Sequence, residues 1–203
     1  TTISDWFENG VAMKSIPAPT FTTSQWYVFN KQQRGYYRVH YSDNNWRALS
    51  FALNSDDYTR IHVMNRAQLI DDAFALAIGG YVDYNLAFDI VKYLNRENDF
   101  FPWYTAYRYL NSMYTIFGIK NQRIREFFNK LSDKYYSKFK LPANNIVPFD
   151  DLPERYGRNY AISFACTSGN AQCLEDAHTL VKIYANTDRK IPNGLELYYC
   201  HGF

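Results

Sequence analysis

A change of hydrophobic period falls at Ser42. Beyond it, apolar residues recur at helical spacing in five sets: Trp46, Leu49 and Leu53; Ala67, Ile70, Phe74 and Ala77; Ala87, Ile90, Val91 and Leu94; Ala106, Leu110, Met113 and Phe117; and Ile124, Phe127, Phe128, Leu131 and Tyr135. Each set lies on one side of a 3.6-residue helix, which must therefore bury that side against a neighbour. Ser42 or Asp43 can cap the first helix, and Gly79 with Gly80 stops the second. Pro102 breaks the chain within "NRENDFFPW", and Gly118 closes the fourth stripe. A proline-marked connection at 141–153, "LPANNIVPFDDLP", precedes helical segments around "YAISFAC" and "LEDAHTLVKIYA". Helix after helix with short joints describes a mainly α chain, a bundle or a solenoid of antiparallel pairs. No fixed-period sequence repeat singles out a repeat class.

Upstream of Ser42 the period is two. "QWYVFN" (25–30) and "GYYRVHY" (35–41) are rich in aromatic and β-branched residues, and "KQQR" separates them. In the second run Tyr37, Val39 and Tyr41 alternate with Tyr36, Arg38 and His40. Two strands do not make an independently stable sheet. With "SIPAPTF" (15–21) they read as the tail of a β domain whose other strands lie elsewhere.

Charge excludes some partners. Lys+Arg 22 against Asp+Glu 20 leaves +2 over 203 residues, so neither nucleic acid nor an anionic membrane is demanded. No run approaches the roughly 18–20 consecutive apolar residues of a membrane span, and "TTISDWFENG" has no signal-peptide features. Aromatic residues make up 19%, with 19 Tyr; tyrosine suits broad helix interfaces whose edges stay wet.

The segment "NRAQLIDDAFALA" (65–77) places an Arg, a Gln and two Asp on an apolar helix. Asp71 and Asp72 are consecutive, about 100° apart around the helix, and cannot share a proton as a carboxylate dyad does. They read as scaffold. The chain has no H-E-x-x-H, G-x-S-x-G, Walker or G-x-G-x-x-G motif. His40, His62, His178 and His201 are scattered singly and read as structural. Lys130, Lys134 and Lys138 form an i, i+4, i+8 stripe that reads as a solvated face, with attraction of acidic partners as the alternative. "DFFPW" (99–103) reads as a plug between helices, and Glu97, Asp99, Asp150 and Asp151 as helix caps.

The three cysteines are Cys166, Cys173 and Cys200. Gly169 and Asn170 turn the chain between the first two, which leaves open a disulfide, free thiols or zinc. Zinc is the weaker reading, because C-x6-C is not a knuckle and His178 lies five residues past Cys173.

Four segments, "GYYRVHYSDNNW" (35–46), "NRAQLIDDAFALA" (65–77), "FPW" (101–103) and "NYAISFACTSGNAQC" (159–173), in this order and spacing, resemble the aminopeptidase N-like zinc metallopeptidases, the gluzincin aminopeptidases, and most of all insect gut ectoenzymes. The resemblance covers nearly everything after Trp26. It implies that residues 1–41 close a small β-sandwich domain and that 42–203 are the N-terminal part of the α-helical C-terminal domain, a solenoid-like superhelix of antiparallel helix pairs. It implies a disulfide between Cys166 and Cys173, and for Cys200 a partner further downstream. The parent would be a zinc-dependent enzyme, an ectoenzyme anchored at the plasma membrane or secreted, that removes single N-terminal residues from peptides. Zinc would sit in the parent's catalytic domain, with none bound by this segment, which carries no catalytic residue. Its expected partners are that catalytic domain and peptide substrates, its expected role is to cover the active site and limit access, and nucleic acid is excluded. The resemblance also offers an alternative role as a docking scaffold for a bacterial pore-forming toxin.

Overall fold

The computed structural model describes residues 12–15, 25–118, 121–139, 152–185, 190–191 and 195–202. Among these residues eight α-helices follow one another: α1 Asp43–Leu53, α2 Val63–Ile78, α3 Tyr84–Val91, α4 Phe100–Met113, α5 Gln122–Phe139, α6 Leu152–Ser168, α7 Ala171–Tyr184 and α8 Glu196–His201. A 3-10 turn, Lys92–Arg96, extends α3, and a π-helical turn, Tyr114–Gly118, extends α4.

The helices form two layers. In one, α2 packs on α4, α4 on α6 and α6 on α8; in the other, α1 packs on α3 and the extension of α3 packs on α5. Contacts of α2 with α3 and of α5 with α6 join the layers, and α7 packs on α6 and α8. Directions follow from pairs of side chains. Arg66 meets Asp99 and Asp71 meets Tyr109 further along, so α2 and α4 run parallel. Trp103 stacks on Tyr135 and Tyr114 meets Phe128, so α5 runs antiparallel to α4. The main core collects most of the stripe residues, with Trp46, Ile70, Phe74, Ile90, Leu110 and Phe128 buried and Met113, Ile124 and Phe127 packed partly buried against them. A second cluster surrounds Cys166, Cys173, Leu180, Leu195 and Tyr198.

Glycine ends two of these helices in the same way. Gly80 takes φ 75° after α2, so that Tyr81 N–H reaches Leu76 O and Gly80 N–H reaches Ala77 O. Gly169 takes φ 84° after α6, with Asn170 N–H on Ala165 O. Both are Schellman closures, in which a residue without Cβ takes the left-handed position.

Three expectations are corrected. No strand occurs among the described residues: 25–30 and 35–41 carry no ladder, because the further strands that two short segments need are not beside them. The segment 15–21 lies almost wholly outside the described residues, as do Asp150 and Asp151. Pro102 does not break a helix but sits in the first turn of α4, where a backbone N–H has no intrahelical partner to lose. Phe117 leaves its stripe, 55% exposed, because the π turn shifts the helical phase and brings Tyr114 inward instead.

Candidate functional site

Helix α2 is packed on nearly every side, with ten of its sixteen residues buried. Its polar residues are therefore inside, and each needs a partner. Asn65 Oδ1 accepts from Gln32 N–H at 2.9 Å, while its Nδ2 donates to Asn30 O at 3.1 Å and to Gln68 Oε1 at 3.0 Å. Asp72 Oδ2 accepts from Val39 N–H at 3.2 Å and from Gln68 Nε2 at 3.3 Å. On α1, Asn45 repeats the pattern: Oδ1 accepts from Tyr27 N–H at 3.1 Å and Nδ2 donates to Tyr27 O at 3.0 Å. Tyr41 OH accepts from Phe29 N–H at 2.9 Å. The segment 25–41 is thus a strap whose backbone is bonded by helix side chains, as an adjacent strand would otherwise bond it. It turns through left-handed Asn30, Gln32 and Gln33, at φ 55°, 59° and 55°.

A second network surrounds Arg66. Its Nε donates to Glu97 Oε2 at 2.7 Å, Nη2 to Glu97 Oε1 at 3.1 Å and to Asp99 Oδ2 at 2.6 Å, and Nη1 to Ile61 O at 2.8 Å. The guanidinium lies over the Tyr58 ring. Arg66 and Glu97 are 3% and 1% exposed, so this is a buried, bidentate pair. Glu97 Oε1 also accepts from Asn98 and Asp99 N–H, and its carbonyl from Trp103 Nε1. Asp99 occupies the N-cap position of α4, yet its side chain goes to Arg66 rather than to the helix. The expected capping role for Glu97 and Asp99 gives way to this ion pair, which fixes the turn ahead of α4.

Burial pushes the Asp72 carboxyl up to about 6, against the opposing pull of Val39 N–H, Gln68 and Arg38. A carboxyl near neutrality suits a general acid. Here, however, Asp72 is 2% exposed and its oxygens are held by Val39, Gln68 and Arg38. Asp71 accepts from Arg38 Nη1 at 2.5 Å and from Tyr109 OH at 2.7 Å, so the two carboxylates share a guanidinium. These positions hold the strap. They are scaffold.

The other sequence candidates lie apart. His62 Nδ1 caps α2 by accepting from Met64 N–H at 3.2 Å, His40 and His178 are exposed, and burial lowers the pKa of half-buried His201. Lys130, Lys134 and Lys138 are exposed along α5. The "DFFPW" segment opens α4, burying Pro102 and Trp103 and leaving Phe101 exposed. Cys166 and Cys173 form a disulfide, Cα atoms 5.2 Å apart, and Cys200 is a free, exposed thiol. Among the described residues no three His, Cys, Asp or Glu are placed to hold one metal ion, so the donors here do not fit a zinc site and no step of metal chemistry is assigned to them. Sequence reasoning missed Glu97 as the partner of Arg66, and missed Asn45 and Asn65 as anchors. A signal for the anchors existed: Asn65, Gln68 and Asp72 are spaced i, i+3, i+7, a polar stripe as regular as the apolar one.

Residues 26–199 match the family described as the ERAP1-like C-terminal domain. The chain belongs to the ERAP1-like C-terminal domain family. Its matched region opens at the strap and runs into α8, so the family unit includes both helix layers. Among curated relatives, this ERAP1-like domain is 35% identical to aminopeptidase N of Plutella xylostella over 195 residues, 93% of the chain and 20% of that protein. The thyrotropin-releasing hormone-degrading ectoenzyme of Rattus norvegicus is 36% identical over 184 residues, 87% of the chain and 17% of that protein. Aminopeptidase N of Homo sapiens is 32% identical over 190 residues, 89% of the chain and 19% of that protein. The chain thus spans about a fifth of the length of these relatives. No helix among its described residues is long and apolar enough to cross a membrane.

Proposed function

We propose that this chain is the helical C-terminal region of a zinc-dependent aminopeptidase that releases single N-terminal residues from peptides. In this reading the segment covers the parent's active site and limits substrate access, and contributes no catalytic residue of its own. The observation that carries it is the similarity to aminopeptidase N over 93% of the chain, in a segment whose buried Asp72, Arg66 and Glu97 are bonded into the scaffold. The Cys166–Cys173 disulfide supports an extracellular setting, since such bonds persist in oxidising compartments. Membrane anchoring of the parent belongs to the same proposal and draws on relatives whose names describe an ectoenzyme and a membrane aminopeptidase.

The expected division at 41/42, a closing β-sandwich followed by a helical solenoid, is part of this proposal. Helices that begin at Asp43 and pack in two layers support it, while the strap's bonds to α1 and α2 favour a junction nearer residue 25. No observation favours the toxin-docking alternative over this reading. The test is hydrolysis of a chromogenic amino-acid amide with added zinc, by this chain and by its full-length parent. Turnover by the parent alone is expected. Turnover by this chain, or an inactive zinc-loaded parent, would overturn the proposal.

A further inference from the structure

A groove of ≈ 430 Å³ is lined by the C-terminal cap of α1, the extension of α3 and the middle of α5. Its apolar lining comes from Phe127 and Leu131 of α5, its cations are Lys92, Arg96 and Lys130, and Asn54 and Asn95 lie at its edges. This volume falls in the range of small-ligand and peptide pockets, about 300–1,000 Å³. No carboxylate lines it.

We propose that this groove binds a short acidic peptide segment, with carboxylates on Lys92 and Lys130 and an adjacent apolar side chain on Phe127 and Leu131. Lys130 belongs to the stripe that reads from sequence as a solvated face; the fold sets it opposite two more cations from another element. Arg96 is fixed in place, over the Tyr58 ring, 3.1 Å from Asp56 and 3.4 Å from Leu53 O. Lys92 pairs with Asp89 within one helical turn, and both are at least half exposed. Lys130 is exposed on α5. That exposed pair of Lys92 is weak enough to open, so an incoming carboxylate competes with Asp89 for Lys92. Phe127 is held edge-on to Phe88 at 5.6 Å, which presents a preformed apolar surface beside the charges. That pairing of cations with an apolar floor favours a peptide over a bare anion, and the near-neutral chain argues against nucleic acid.

The test is a nuclear magnetic resonance titration of the full chain with acetyl-Glu-Leu-Glu-amide and with its uncharged counterpart acetyl-Gln-Leu-Gln-amide. Saturable shifts at Asn95, Lys130 and Leu131 are expected with the acidic peptide. Binding should weaken roughly tenfold in the Lys92→Gln/Lys130→Gln double variant and fall as salt rises from about 0.05 to 0.5 M. Both lysines are exposed, so the thermal melt of the variant should match that of the parent chain. Equal binding of the two peptides, an unchanged affinity in the variant, or no saturable shift at about 10 mM peptide would each overturn the proposal. Equally strong shifts with inorganic phosphate alone would overturn the peptide assignment. None of these outcomes bears on the aminopeptidase reading, which rests on α2 and on the family match.

Discussion

Glu97 is 1% exposed and satisfies both Arg66 and the two N–H groups that lead into α4. Removing it leaves a buried guanidinium whose remaining ion-pair partner is Asp99, itself 58% exposed. Glu97→Ala should therefore destabilise the chain by about 3 kcal/mol, read as a lower urea midpoint with little change in slope. Asp72 predicts the opposite sign. Its folded pKa is raised to about 6, above its unfolded 3.8, so the native state binds the proton more tightly and this group costs stability above about pH 6. The cost disappears as pH falls below the unfolded value. Asp72→Asn should add about 1–3 kcal/mol at pH 8 and almost nothing at pH 3.5, followed by urea unfolding at both pH values. A gain independent of pH would show that the carboxylate is not the penalised form. At this scale the sequence was half legible. Helix geometry set Asp71 and Asp72 apart around the axis but did not report that both meet Arg38, and the partner of Arg66 lies 31 residues away, where no local period reports it.

The corner between α6 and α7 joins three devices at one element boundary. Gly169 closes α6, Asn170 Oδ1 caps α7 by accepting from Cys173 N–H at 3.0 Å, and the Cys166–Cys173 bond spans the turn. The closed loop is short, so in the chain-entropy model the crosslink contributes about 2–3 kcal/mol. Cys166→Ser/Cys173→Ser, or reduction of the native chain, should lower stability by that amount, and calorimetry with and without reductant measures it. Gly169→Ala should cost a further 1–2 kcal/mol or so from its left-handed φ of 84°. Helices and their glycine stops were legible because period and capping are local. The two misplacements, at Pro102 and Phe117, are also local in origin. A proline is tolerated in the first turn of a helix, and one π turn shifts every later side chain around the axis.

For the whole molecule, helix packs on helix through side chains, whereas the strap is held by helix side chains on its backbone, tying residue 27 to 45, 32 to 65 and 39 to 72. Asn65→Ala should release it locally. Hydrogen exchange at Gln32 and neighbouring strap amides should quicken severalfold, while the core amides of α4 and α6 keep their protection. Loss of protection throughout would mean that the strap is integral to the core. This level was the least legible, since an alternating aromatic segment reads the same whether strands or helix side chains bond its backbone. The strap also has a timetable. During synthesis Val39 leaves the ribosome 33 residues ahead of Asp72, a lag of about 2–7 s at ordinary elongation rates. Through that interval its backbone must be hydrated or held by a chaperone, so a translational pause placed just after α2 would favour correct docking and one placed just before it would lengthen the exposure.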